Sequence, residues 1–306
     1  MGQTILKKNA VSIKSVAFCL CILFLVSCSK AEQQKSHSSL LEAKQEIISI
    51  SEAMEEKVSP TILKLQKVLQ LFPTYGAAGS GENAGLYLAE KNEIVHRILK
   101  NQEIFLNDLE RLLQNDTKNL LRLVDKKHFL EKEDNPKDII PLKPNNAYLL
   151  NRNDLSLRDF VEDALRKMSF AAKEEGVTIV ASSTYRSYEY QDGLYERNVK
   201  ELGQEAADRE SARPGTSQHQ LGTVVDFGSI TDEFALTKAG IWLDNNASRF
   251  GFSLSFPQGY EEVTGYRWES WHYRYIGLEA CLFQEAYFNN IQQYMLEFIH
   301  LWKNLD

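Results

Sequence analysis

The residue types best suited to hydrolytic or metal chemistry crowd into two short stretches in the second half of the chain. Ser217-Gln218-His219-Gln220-Leu221-Gly222-Thr223-Val224-Val225-Asp226 sets an imidazole and a carboxylate seven positions apart, on what reads as a loop entering a strand. Glu269-Ser270-Trp271-His272 supplies a second imidazole and a further carboxylate. Nitrogen and oxygen donors of this kind suit zinc, whose catalytic sites use three protein ligands and leave one position for water. His219, Asp226 and His272 satisfy that count. Glu269 is then left over as a carboxylate able to take a proton from water that a metal has acidified. The spacing also imposes a condition, because in a regular strand Glu269 and His272 would face opposite sides, so a turn or bulge must lie between them. The helical zinc signature, with histidines four residues apart, is absent.

These residues need a scaffold. Ser156 followed by Asp159 reads as a capping box, and Leu157, Phe160, Val161, Ala164, Leu165, Met168 and Ala172 form an apolar stripe that predicts a helix ending before Gly176. Val177 to Thr184 is rich in β-branched residues and predicts a buried strand, and Tyr188 to Leu202 a further helix. More strands are predicted at Thr223 to Phe227 and in parts of Phe252 to Phe256 and Tyr266 to Tyr275. Thr237 is suited to cap a helix running to about Arg249, with Gly251 ending it, and the tail from Leu278 to Trp302 reads as one amphipathic helix. The fold class is α+β: helices packed on a small, mainly antiparallel sheet. Upstream, Leu40, Ile47, Met54, Val58, Ile62, Leu65, Leu69 and Phe72 recur at helical spacing, with Pro60 predicted to kink or divide the helix. After a glycine-rich loop at Tyr75 to Gly81, a second helical pattern through Leu88, Val95, Ile98, Phe105, Leu109 and Leu112 completes a helical hairpin. His96 and His128 are isolated from other ligand types, so packing or partner binding suits this region better than catalysis.

Composition narrows the partners and the compartment. A chain of 306 residues with 43% hydrophobic and 25% charged residues can bury a sizeable core. Its net charge of -7 argues against nucleic acid, which selects a basic face. Lys7, Lys8 and Lys14 precede an apolar run from Val16 to Val26 that is too short to span a bilayer comfortably, which predicts an export signal. The run ends in Leu25-Val26-Ser27-Cys28, similar to a bacterial lipoprotein box, with a plain signal peptide as the alternative. Cys28 would then carry lipid as the first mature residue, anchoring the protein to a membrane, and Ser29 to Ser39 would form a tether. With Cys19 and Cys21 removed, Cys281 has no other cysteine besides Cys28, and no disulfide framework is available.

From about Leu120 to Gly277 the chain resembles the zinc D-alanyl-D-alanine carboxypeptidases of the VanY type, within the group that includes lysostaphin-like enzymes and the hedgehog signalling domain. Ser217, His219, Gly222 and Asp226 match the family's serine, histidine, glycine and aspartate pattern, and Glu269, Trp271 and His272 match its glutamate-tryptophan-histidine element. Tyr185, Arg186, Ser187 and Gln191 match an upstream element, while Ser211-Ala212-Arg213-Pro214-Gly215 and Tyr273-Arg274-Tyr275 agree in context. The resemblance implies that His219, Asp226 and His272 bind Zn2+ and that Glu269 is the catalytic base. It further implies that Arg186 meets a substrate carbonyl or carboxylate, with Gln191 and Ser217 helping to position the peptide. For Arg186 a salt bridge within the domain is the plainer alternative, and for Gln191 and Ser217 loop-shaping hydrogen bonds. Trp271 suits packing better than chemistry. Thr184 and Val224 depart from the glycine and alanine common in the family, which puts pocket shape in question and leaves the ligands untouched.

The organisation expected on this basis is a lipoprotein-type signal peptide at 1–27, a polar tether at 28–39, a helical hairpin region at 40–117, a zinc peptidase domain at 118–277 and a C-terminal helix at 278–306. The implied substrate is the stem peptide of peptidoglycan, reached by an exported, membrane-anchored enzyme facing the periplasm or cell surface. A cross-link endopeptidase and a non-catalytic cell-wall-binding lipoprotein of the same fold stay open as alternatives.

Overall fold

The computed structural model describes residues 44–45, 59–73 and 84–305. The apolar run, Cys28, the tether, the helical pattern from Leu40 to Val58 and the Tyr75 to Gly81 loop lie outside the described residues. The chain divides into two compact units, Met1–Leu65 and Gln66–Asp306. In the first, helix α1 (Pro60–Leu71) begins at Pro60. Proline suits that first position because the first helical N–H needs no intrahelical acceptor, and the Ser59 hydroxyl accepts the N–H of Ile62 at 3.3 Å. Among the described residues no helix is long and apolar enough to cross a membrane.

In the second unit, α2 (Ala84–Lys100) and α3 (Gln102–Asn115) divide the second helical pattern at Asn101, which leaves helical geometry with φ -134° and ψ 45°. They pack on one another and on a later helix near the C-terminus. A two-stranded sheet joins β1 (Ile139–Pro141) to β3 (Ser156–Arg158), with β2 (Leu149–Leu150) between them in sequence. The predicted capping box does not form. Ser156 is paired with Pro141 and its N–H donates to the Thr184 hydroxyl at 3.0 Å, so strand pairing has claimed the residue. Helix α4 (Asp159–Glu174) starts after an extended Arg158 and buries Val161, Leu165, Met168 and Ala172, the apolar stripe visible in the sequence.

There follow β4 (Val180–Ser183), α5 (Tyr188–Leu202), α6 (Gln204–Glu210), a 3-10 turn at Gln218–Leu221 and β5 (Val224–Phe227). Next come a 3-10 turn at Asp232–Leu236, α7 (Lys238–Asn246), a 3-10 turn at Ala247–Phe250 and β6 (Phe252–Leu254). Thr237 caps α7 through the N–H of Gly240, and Gly251 closes the following turn in the left-handed region, φ +84°. After α8 (Glu261–Thr264) and β7 (His272–Tyr275), the main sheet runs β2-β4-β5-β7-β6, parallel only between β2 and β4. Helices α4 and α7 supply core residues against one face of this sheet.

The tail is two helices, α9 (Leu278–Tyr287) and α10 (Gln292–Asn304), where the sequence predicts one. Asn289 and Asn290 both take positive φ, 52° and 58°, and the Gln284 side chain donates to the backbone and side-chain oxygens of Asn290, which fixes the break. Residues Gln292 to Ile299 are buried without exception, so α10 is an internal helix and not a surface amphipath. Its Phe298, fully buried, meets Phe72, Phe105 and Phe288 edge-on or inclined, with ring centroids 5.2 to 5.9 Å apart. Phe298→Ala is expected to lower the unfolding free energy by about 3 to 5 kcal/mol. Urea titration checks this: the midpoint should fall with the slope unchanged.

Candidate metal centre

Strand alternation sorts the residues of β5 and β7. Val225, Phe227, Tyr273 and Tyr275 join the hydrophobic core, which turns Val224, Asp226, His272 and Arg274 to the opposite face. The register then pairs Asp226 with His272 across β5 and β7, and Ser183 of β4 with Asp226. His219 arrives from the 3-10 turn. The Ser217 hydroxyl accepts its N–H at 3.3 Å, and Gly222, at φ +67°, donates its own N–H to the His219 carbonyl at 3.1 Å. A side chain at Gly222 would be strained by that φ and would bring Cβ to 2.5 Å from Ile139 Cδ1. The turn needed before β7 is present, since the His272 N–H donates to the Glu269 carbonyl at 3.2 Å. Both side chains consequently reach one cleft, with Glu269 Oε2 3.3 Å from His272 Nδ1.

One ligand atom each from His219, Asp226 and His272 lies within 4.8 Å of the others, and all three residues are buried. His219 Nδ1 sits 2.6 Å from the Thr184 carbonyl, an acceptor only, so that nitrogen carries the proton and Nε2 presents a lone pair. That lone pair faces Asp226 Oδ2 at 3.2 Å. His272 Nε2 lies 3.3 Å from the Gln218 amide oxygen, while its Nδ1 is 3.1 Å from Asp226 Oδ1. Asp226 Oδ1 is buried and receives no aligned hydrogen bond, despite that proximity. Lone pairs converging on a buried carboxylate call for positive charge between them, and a metal ion is one group that provides it.

The proton equilibria report the same demand. Burial pushes the His219 pKa down to about 4, with Arg186 adding to the effect. Burial also opposes charge on His272, yet the Asp226 and Glu269 carboxylates, 3.1 and 3.3 Å from Nδ1, outweigh it and raise the pKa to about 9. Burial would raise the Asp226 pKa, but the two imidazoles hold it well below the ordinary carboxylate range.

Arg186 lines the cleft and is braced on three sides: Nε donates to Ser183 Oγ at 3.2 Å, Nη1 to Gln191 Oε1 at 3.2 Å and Nη2 to Asp226 Oδ2 at 3.1 Å. The intradomain salt bridge is therefore present, and guanidinium N–H groups remain beyond those bonds, since arginine has about five. Gln191 is buried behind the wall and donates to the Ala212 carbonyl at 2.7 Å, so it holds Arg186 and does not line the cleft. Ser217 lines the cleft and also caps the turn that carries His219. Trp271 is both core residue and cleft wall. Sequence reasoning passed over Gln218, the Thr184 carbonyl, and Phe256, whose ring centroid is 4.7 Å from that of His272. Gln218 lay inside the quoted motif, so its chemistry was visible, whereas a carbonyl leaves no trace in residue type.

Fold and site together place the molecule among carboxypeptidases. It belongs to the VanY family of D-alanyl-D-alanine carboxypeptidases, which residues 154–278 match. It is 31% identical over 207 residues to the YodJ protein of Bacillus subtilis (strain 168), covering 62% of this chain and 76% of that relative. A D-alanyl-D-alanine carboxypeptidase of Enterococcus faecalis is 36% identical over 139 residues, 42% of this chain and 50% of its own length. Among solved structures, the LdcB LD-carboxypeptidase aligns with a TM-score of 0.53 at 30% identity, covering 61% of this chain and 88% of that chain.

Proposed function

We propose that the protein is a zinc-dependent carboxypeptidase that removes the terminal D-alanine from peptidoglycan stem peptides, with His219, Asp226 and His272 as ligands and Glu269 as base. The observation that carries the reading is the convergence of those three ligand atoms at the foot of a cleft that also holds Glu269. Zinc with nitrogen and oxygen ligands at 2.0 to 2.1 Å would draw neighbouring donors to about 3.3 Å; His219 and His272 already lie 3.2 and 3.1 Å from the two Asp226 oxygens, and one donor from each residue within 4.8 Å of the others. The His219 hydrogen bond to a backbone carbonyl is the outer partner such ligands use.

Bound there, zinc would polarise a carbonyl and acidify water. The Glu269 carboxylate takes the proton of the attacking water and hands it to the leaving amine. The N–H groups of Arg186 outside its internal bonds meet negative charge on the peptide, either the developing oxyanion or the terminal carboxylate. No covalent link between enzyme and substrate is needed.

In the purified chain, about one zinc per molecule is expected, with His219→Ala and His272→Ala losing it, because a three-ligand site has no redundancy. Glu269→Gln is expected to retain zinc while turnover falls by roughly two to four orders of magnitude. Metal analysis beside peptide hydrolysis separates the two roles, and full zinc occupancy in both histidine variants would overturn the ligand assignment.

The carboxypeptidase reading also predicts a preference for a free C-terminus. Amidating a peptide that ends in D-Ala-D-Ala is expected to cost roughly a hundredfold in kcat/KM, from the loss of charge-assisted hydrogen bonds of about 1.5 to 3 kcal/mol. Equal cleavage of acid and amide would favour a cross-link endopeptidase. The LD-carboxypeptidase activity in the name of LdcB gives a second reading, in which a single D-alanine after an L-residue is removed. Product masses from matched D-Ala-D-Ala and L-Lys-D-Ala peptides decide between them.

Export and membrane anchoring through lipid on Cys28 complete the proposal. Cys28→Ala is expected to abolish the lipid mass increment and shift the protein out of the membrane fraction; unchanged partitioning would dismiss the anchor.

A further inference from the structure

A second cavity adjoins the catalytic cleft. The cleft encloses about 230 Å³ and the second cavity about 320 Å³, and the two share Ser211, Thr216 and Tyr266 in their walls. Lys126, Asp208 and Arg213 complete the lining of the second. Lys126 lies upstream of residues 154–278, the part that matches the family.

The charges around this cavity are unevenly matched. Asp208 is neutralised: Arg213 donates to its two oxygens at 2.8 and 2.9 Å, and Tyr195 and Gln204 bond to it as well. Those bonds, the Arg213 fork first, hold its carboxyl well below the ordinary range. Glu261, the other acid near Lys126, is gripped by Arg209 at 2.7 and 2.8 Å. Lys126 itself donates to the Asp208 backbone carbonyl at 2.7 Å and lies 4.5 Å from the centre of the Tyr266 ring. Among the described residues no carboxylate pairs with its ammonium.

Two contacts locate the Lys126 ammonium, the Asp208 carbonyl and the Tyr266 ring, on a residue that is otherwise exposed. Partial burial lowers its pKa from the ordinary lysine value, with Asp208 and Glu261 pulling the other way. Ser211, in the wall common to both cavities, has a hydroxyl with no hydrogen-bond partner within the protein among the described residues. A seated cation with unused donor capacity and a free hydroxyl beside it make a site for a small planar anion.

We propose that this cavity is an auxiliary subsite in which Lys126, with Ser211, binds a carboxylate of the peptide substrate away from the scissile bond. The proposal rests on the carboxypeptidase reading for the identity of that peptide. Substrate would then be held through two carboxylates, one met by Arg186 at the cleft and one by Lys126 beyond the wall formed by Thr216 and Tyr266. Specificity would depend on their separation and not only on the residues flanking the cleaved bond.

The test uses the full chain and two peptides that end in free D-Ala-D-Ala and differ only in an upstream glutamate, whose carboxylate is either free or amidated. The native enzyme is expected to prefer the acid by about tenfold in kcat/KM, expressed in KM, as a charge-assisted contact in a half-open site allows. Lys126→Met should compress that preference to less than about twofold, and Lys126→Arg should preserve most of it, with thermal unfolding run on each variant to show that it is folded. No discrimination by the native enzyme, or a preference that survives Lys126→Met, would overturn the subsite. Should neither peptide be cleaved, the carboxypeptidase reading fails by itself. Calorimetric binding of the same pair then decides the subsite: tighter binding of the acid that Lys126→Met abolishes supports it, and equal binding of both peptides refutes it.

Discussion

Asp226 is a carboxylate shut away from water, and a buried charge persists only where opposite charge and hydrogen bonds surround it. Arg186, His219 and His272 converge on it from three separate parts of the chain: the end of β4, a 3-10 turn and β7. The same carboxylate therefore constrains the order and register of the sheet. A one-residue slip between β5 and β7 would turn Asp226 or His272 into the hydrophobic core beside Phe227 and Tyr273, so the core patterning that fixes the register also fixes the candidate metal centre. Stability and chemistry meet in one cross-strand pair.

The walls of the cleft depend on elements outside the family-matched stretch. Tyr87 donates to the Gly259 carbonyl at 2.6 Å, while Tyr260 and Tyr294 both donate to the Glu90 carboxylate. These bonds clamp the segment after β6 between α2 and α10. That segment leads through α8 to Tyr266 and Glu269, so the helices at the two ends of the unit help to position both residues in the wall of the cleft. Tyr87 and Tyr294 are buried and Tyr260 and Glu90 half-buried, and the arrangement is favourable because each hydroxyl finds an acceptor.

That His219, Asp226, His272 and Glu269 converge was legible in the sequence because they carry rare chemistry at fixed spacing, and the strands and the helix over Asp159–Glu174 were legible because their apolar periods are strong. The capping box was not, since Ser156 has the right type for a cap and only the partner strand at Ile139–Pro141 shows that pairing takes precedence. The turn between Glu269 and His272 was deduced as a necessity, not read from a turn residue. The break in the tail was missed because Asn289-Asn290 is a weaker signal than glycine or proline, although asparagine is the non-glycine residue best able to adopt positive φ. Lys126 was invisible for a different reason: a lone lysine acquires meaning only from the tyrosine ring and neutralised aspartate that the fold sets around it.

The unbroken burial of α10 has a physical logic of its own. Gln292, Gln293 and Glu297 sit among Met295, Phe298 and Ile299 on a helix that presents no solvent face over these turns, which would be costly if their polar groups were unmet. Gln293 donates to Asp125, and Gln292 donates to the Ser253 carbonyl. The single Ser255 hydroxyl proton lies between two amide oxygens, Gln218 at 2.8 Å and Gln292 at 3.2 Å, and the nearer is the oxygen that faces His272 Nε2. An oxygen there accepts a proton on Nε2, so any ligand role of His272 falls to Nδ1, the nitrogen directed at Asp226 and Glu269. Gln292 of α10 thus shares the Ser255 hydroxyl with the Gln218 oxygen that faces His272, which ties the polar groups of a helix beyond the family-matched stretch to the wall of the cleft.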